Sequence, residues 1–506
     1  MASLNTQHRR EWLGTGLALA AAVPLVLALA ALPLPFATAL VAGLTVVTLM
    51  VVEPAFGLYA AVLSVPVQDL VQLPAGLTVT QAVVVLAFGV WLLQVLAYPE
   101  RRVELPLLGP WLVFLAVQLA SIVFTPYSKL EGVLQFARWV ASFLAFVLTL
   151  GTITSRWRAW GLVVALLAGP GLAALYGLVQ FGIPGLAPAS FLILGGRFAR
   201  ASATFGKPNP FAGYLNMAWP LATALAVYFF TQRAGLQTAA GQERPRLAGN
   251  NARFGRPAPA ATKQGWGSRL LVLLFGGFAL LLLGGLFASY SRGGWLGAVA
   301  GLGVLAIVGG RRTAVLAGLA VVLGLLVGLL GAFSVLPPAL TDRLGTITNN
   351  LRIFDAGEIP VTPENFAIVE RMAHWQAGWR MFQAHPLLGV GVGNFNAAYP
   401  TYFVAPWSIS QGHAHNYYIH TLAESGLFGL LAYLLLVGVL LWEALHTRQR
   451  LAGTAWGAAM VGVCGIIAAV AGHNVFENLH VLNLGIQLSS VWGLAIIAQR
   501  WKEEQA

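Results

Sequence analysis

The sequence predicts an all-α, polytopic membrane protein, a bundle of about 12–14 transmembrane helices with a partly helical external loop domain. Composition is the first reason. Hydrophobic residues make up 58% of the 506 positions and charged residues only 9%, against roughly 25% in soluble domains. So few charges cannot cover a water-facing surface of this size. The second reason is that apolar runs of spanning length, about 20 residues, recur from end to end. The third is the uneven placement of arginine and lysine in the turns between them.

The early runs fall at about 12–32, 36–52, 54–70, 78–97, 106–124, 132–152 and 157–182. Residues 1–182 therefore read as an N-terminal group of helices, in which Glu53-Pro54 joins two runs almost without a loop. The opening residues MASLNTQHRR enter the first run with no small-residue cleavage pattern, so this run reads as a retained helix. Central runs at 208–230, 269–289, 294–310 and 313–334 make 183–334 a second group. Runs at 425–446, 452–471 and 481–499 make 425–506 the C-terminal group. The single cysteine, Cys464, lies in an apolar run and reads as a packing residue.

Most of the 29 basic residues sit in alternate loops, among them Arg9, Arg10, Arg101, Arg102, Arg156, Arg158, Arg311, Arg312, Arg448, Arg450, Arg500 and Lys502. By the positive-inside rule this face and both termini are cytoplasmic. The net charge of +12 is then a topology signal and an attraction to membrane lipid headgroups. Nucleic acid is not an expected partner, because no domain gathers the charge.

Two polar interruptions break the array. Residues 231–268, rich in Gly, Pro, Ala and Arg, read as a disordered basic cytoplasmic linker. Residues 335–424 fall on the other face and are rich in aromatics. Within them, IVERMAHWQAGWRMFQ puts Ile368, Met372, Trp375 and Trp379 on one face of an amphipathic helix, lying on the membrane surface or capping the bundle. The glycines and Pro386 of HPLLGVGVGNF end it.

The external face also carries arginines that the charge rule does not explain: Arg200 in RASATFGKPNPFAGYL, Arg292 in SRGGWLG, and Arg371 and Arg380 in the amphipathic segment. Acids are scarce there, so several of these arginines are expected to be available to an anionic ligand. Guanidinium groups grip phosphate oxygens in a bidentate fork. Next comes HAHNYYIHTLAESGLFG, in which His415-Asn416 precedes Gly426 and Gly429 by a fixed spacing at the start of an apolar run. His415 is the expected base, since an imidazole with an ordinary pKa of about 6.5 accepts a hydroxyl proton at ambient pH. His413 and Asn416 are candidates to orient the acceptor or the imidazole, and His420 to face another side. Gly426 and Gly429 let the helix start pack closely. A second polar cluster, HNVFENLH at 473–480, reads as a solvated turn, with a lining of the acceptor path as the alternative.

The spacing HN-x9-G-x-x-G resembles the signature of the O-antigen ligase and O-antigen polymerase superfamily. The contexts of Arg200, Arg292, Arg371 and Arg380 resemble the same family. That resemblance implies a membrane glycosyltransferase of the bacterial inner membrane. It would take a glycan from undecaprenyl pyrophosphate at the periplasmic face and pass it, with inversion, to an acceptor hydroxyl. The acceptor is a lipid A–core sugar for a ligase or another lipid-linked repeat for a polymerase, and the single long external loop is more ligase-like. The four arginines would hold the pyrophosphate. A polysaccharide or lipid transporter is the rival class, but internal repeats and broken helices in matching halves are not evident. No metal or cofactor is expected. The first external loop, around Pro33 and Pro35, has no acid, the chain has three aspartates, and the two histidines at i and i+2 show no third ligand.

Overall fold

The computed structural model describes residues 31–70, 77–98, 104–242, 264–311, 353–362 and 365–501, with scattered positions between 313 and 326. Nearly all of the run at 12–32, the middle of the linker at 243–263, most of the run at 313–334, and Arg343 and Arg352 lie outside the described residues.

The first helices are α1 (Leu34–Val52), α2 (Ala55–Ser64), α3 (Val79–Ala97), α4 (Leu108–Val123), α5 (Lys129–Thr152) and α6 (Arg156–Gly182). A two-residue antiparallel ribbon, β1 (Leu192–Ile193) with β2 (Phe198–Ala199), follows. Next come α7 (Pro208–Asn216), α8 (Trp219–Gln242), α9 (Gln264–Ala288) and α10 (Arg292–Gly309). The last group is α11 (Phe366–Ala384), α12 (Phe395–Tyr402), α13 (Tyr417–Arg450), α14 (Ala455–Asn474) and α15 (Leu484–Ile497).

Seven of the described helices are long and apolar enough to cross a membrane: α3, α5, α6, the Gly267–Ala288 part of α9, α10, α13 and α14. Several begin on a hydroxyl N-cap that satisfies an end N–H group, as Ser128, Ser155, Ser291 and Thr454 do for α5, α6, α10 and α14. The fold is an all-α, multi-pass membrane bundle. Cys464 is buried in α14, the most enclosed of the seven, which packs against α8, α10 and α13.

Two runs divide differently from their apolar pattern. The run at 208–230 breaks into α7 and α8 around Met217 and Ala218. Pro220 has no N–H to bond the Asn216 carbonyl, so the helical ladder cannot continue there. The run at 425–446 belongs to a longer helix, α13, that starts at Tyr417 and has a non-helical residue, Gly426, inside it (φ 64°, ψ −163°). The amphipathic segment is α11, and it caps α13. Ile368 and Met372 are buried as the pattern predicts, whereas Trp379 is 47% exposed. The two sides are less distinct than expected, because Val369, Ala373, Ala377 and Met381 are buried as well.

Candidate active site

At the end of the bundle under α11, a cavity of about 200 Å³ is lined by Arg200, Arg292, Arg371 and His415, with Asn209, Glu370 and His473 among its other walls. Each arginine arrives from a different element. The ribbon delivers Arg200, whose backbone N–H donates to Phe191 O at 2.8 Å and whose Nε donates to Ser289 O at 3.2 Å. Arg292 is the first residue of α10, immediately after its N-cap Ser291. Arg371 comes from α11, where burial lowers its pKa and the charges of Glu477 and Glu370 oppose that; a guanidinium remains cationic under such a shift. The start of α10 adds the positive end of a helix dipole to the same space. Three guanidinium groups therefore line the cavity beside the carboxylate of Glu370.

His415 enters through an uncommon backbone. Its φ of 53° is left-handed, a conformation that costs a non-glycine residue about 1–2 kcal/mol. Neighbours hold it there: its N–H donates to His413 Nδ1 at 3.1 Å and its carbonyl accepts from Trp375 Nε1 at 3.3 Å. Asn416 then caps α13, its side-chain oxygen accepting from the N–H groups of Tyr418 and Ile419.

Glu477, on the turn between α14 and α15, stands between the two histidines. Its Oε1 lies 3.4 Å from His413 Nε2 and 3.4 Å from His415 Nδ1. The tautomer of His413 follows from these contacts. His413 Nδ1 is occupied by the His415 N–H, so its proton is on Nε2, toward the carboxylate. His415 Nδ1 lies beside the same oxygen at 3.4 Å without a hydrogen bond to it; a proton on Nδ1 would leave Nε2 with a lone pair. Burial works against charge on Glu477, but His413, His415 and Arg371 outweigh it and hold the carboxyl well below its usual range. Burial pushes His413 down to about 3, against the pull of Glu477. At neutral pH the carboxylate is therefore charged and His413 is neutral. Asn209 donates to the other Glu477 oxygen and accepts from Ser291 Oγ, tying the carboxylate to the start of α10.

His473 has a similarly determined tautomer. Trp219 Nε1 donates to Asn216 Oδ1 at 2.9 Å, so the Asn216 amide must point its NH₂ toward Gly294 O (3.1 Å) and His473 Nδ1 (3.4 Å). His473 thus carries its proton on Nε2, a buried atom with no hydrogen-bond partner among the described residues. A Cβ on Gly293 would fall 3.3 Å from that nitrogen, so glycine there keeps the side of the cavity open.

Residues 277–434 match the family model described as O-antigen ligase. The chain carries an O-antigen ligase domain. This match supports the O-antigen ligase superfamily, and the apolar helices fit a membrane setting. No curated protein matches the chain. The O-antigen ligase segment includes Arg292, Arg371, His413, His415 and Asn416, while Arg200 and Glu477 lie outside it. The cavity is therefore assembled from inside and outside the matched segment.

Several expectations need correction. Arg380 does not join the cavity: it is exposed on the far side of α11 and donates to Phe403 O at 2.8 Å. Arg200, Arg292 and Arg371 all have interactions within the protein, so availability to an anion means exchanging or sharing partners. The oxygen of Asn416 is engaged in capping rather than turned to an imidazole. Gly426 does allow close packing, but against the Leu387 backbone rather than a helix face, and through a positive φ of 64°. HNVFENLH is not a solvated turn, since His473, Asn474, Phe476, Glu477, Asn478 and His480 are all buried. The histidine pair also has a third potential ligand, because His413, His415 and Glu477 offer atoms all within 4.8 Å of one another. Sequence reading missed Glu477, His473 and Asn209 for one reason: nothing local shows that the last interhelical turn folds beneath α11.

Proposed function

We propose that this O-antigen ligase domain transfers a glycan from undecaprenyl pyrophosphate to an acceptor hydroxyl, a lipid A–core sugar, at the periplasmic face of the bacterial inner membrane. The observation that carries this reading is the convergence of Arg200, Arg292, Arg371 and His415 on one cavity. The acceptor oxygen attacks the anomeric carbon while its proton passes to His415 Nε2. The bond from that carbon to the pyrophosphate oxygen breaks, and the three arginines, with His473 N–H beside them, take up the charge of the leaving group. Single displacement from the opposite face inverts the anomeric centre. Glu477 orients His415 and stabilises the imidazolium as it forms. The arginines already neutralise the pyrophosphate, so no divalent ion is required.

Orientation is supported by the other end of the bundle, where Arg158 and Arg500 line one cavity and Arg311 and Arg448 another. That end is cytoplasmic in this reading, with both termini. A polymerase would use the same chemistry with another lipid-linked repeat as acceptor. A second reading, a metal-assisted transfer, draws on the His413–His415–Glu477 cluster. Transfer by the purified protein in a strong chelator separates them: retained activity supports the arginine site, and loss restored by a divalent ion supports the metal.

A further inference from the structure

A second and larger cavity, about 390 Å³, lies against His413. Its polar walls include His413, His420, Glu424, Asn396, Asn478 and Arg138. The chemistry differs from that of the arginine cavity. Carboxylates, amides and imidazoles dominate, and Arg138 directs Nη1 to Gln135 Oε1 at 2.7 Å. Such a set exchanges hydrogen bonds with hydroxyl groups and offers little to a polyanion.

Two details mark it as a built site. Glu424 is buried and fixed, its Oε1 accepting from Phe395 N–H at 3.0 Å and its Oε2 lying 3.4 Å from His420 Nε2. His420 is only 7% exposed, and its Nδ1 has no hydrogen-bond partner among the described residues. With Nε2 turned to the carboxylate, Nδ1 is left as an acceptor, and a buried acceptor left unmade costs about 1–3 kcal/mol. A ligand hydroxyl would satisfy it.

The two cavities are related through one carboxylate, Glu477. His413 lines the second, His415 lines the first, and both contact Glu477 Oε1, with their rings 4.2 Å apart. A hydroxyl held beside His413 is thus one ring away from His415. From this we infer that the second cavity is the acceptor subsite and holds the terminal residues of a neutral, hydroxyl-rich saccharide. The inference rests on the transfer reading above and adds the location and chemistry of its second substrate.

The test uses the full-length protein in lipid nanodiscs with two probes. One is a fluorescent, deacylated lipid A–core oligosaccharide, for equilibrium binding. The other is an undecaprenyl-pyrophosphate-linked glycan, for cleavage to water. Asn396→Trp, at an exposed position lining the cavity, fills it, and His420→Leu removes the unmet acceptor with little change in shape. Both variants should weaken oligosaccharide binding by at least about tenfold while donor cleavage continues at the wild-type rate. Arg292→Ala should do the reverse. The proposal is overturned by unchanged oligosaccharide binding in Asn396→Trp, by loss of donor cleavage alone in that variant, or by a wild-type protein that does not bind the oligosaccharide. Oligosaccharide binding lost in Asn396→Trp, with no glycan transferred to the oligosaccharide even by wild type, keeps the subsite and removes the transfer reading.

Discussion

Glu477 Oε1 lies 3.4 Å from Nδ1 of His415, joining the turn between the last two helices to the residue just before the cap of α13. The contact separates the rival histidines. His413 has one nitrogen occupied by a backbone N–H and the other facing the same carboxylate oxygen. In the proposed mechanism His415 keeps Nε2 for an incoming hydroxyl. A carboxylate behind an imidazole is the arrangement that makes histidine an effective base in hydrolases.

Glu477→Gln should therefore lower kcat by about 10²–10⁴ while donor and acceptor KM change little, because the amide keeps the shape but favours the wrong tautomer. Steady-state kinetics on the purified protein check this. A mutant that lost only substrate affinity would place Glu477 in binding instead.

Among the arginines, Arg200→Ala, Arg292→Ala and Arg371→Ala should each cost at least about tenfold in kcat/KM for the donor, with lysine rescuing poorly because it cannot fork. Arg380→Ala should stay near wild type, since its guanidinium is exposed and bonded to Phe403 O. Equal tolerance at all four positions would contradict a pyrophosphate clamp.

Acid should loosen this end of the bundle, and the sign is the same for both groups. Burial holds His413 at about 3, below the ordinary value of about 6.5. As pH falls from that ordinary value toward 3, the unfolded chain takes up a proton that the folded state refuses, and stability declines. Glu477, held well below the usual carboxylate range, adds stability that is present above that range and is lost as pH falls through its folded value. The thermal midpoint of the detergent-solubilised protein should drop across this acid interval, and less so in a His413→Leu, Glu477→Gln double variant. Identical profiles would show that the cluster contributes nothing.

Gly426→Ala should destabilise the protein by about 1–3 kcal/mol, because φ is 64° and an added Cβ would collide with the Leu387 carbonyl. Gly438→Ala, lower in the same helix with open space around it, is the control. Similar melting of the two variants would contradict the kink as a structural requirement.

Much of this was legible from the chain. Spanning helices announce themselves through apolar runs, because lipid demands them, and the external arginines stood out because each is costly there. The spacing to two glycines pointed to His415, which lines the cavity. What escaped depended on contacts distant in sequence. Glu477 sits in a polar stretch with the composition of an ordinary turn, and only the packing of α14 against α10 and α13 brings it beneath α11. Arg380 shares a helix with Arg371, but their side chains leave it in different directions, which the aromatic pattern of α11 did not disclose. Pro220 could have marked the break between α7 and α8, yet the apolar run on both sides concealed it.

The most direct measurement is glycan transfer by the purified protein in chelator, with an undecaprenyl-pyrophosphate-linked donor and a lipid A–core acceptor, comparing wild type with His415→Ala. Wild type should give product without added metal, and His415→Ala should lose at least about 10²-fold while keeping wild-type melting behaviour. Full turnover by His415→Ala would contradict His415 as the base.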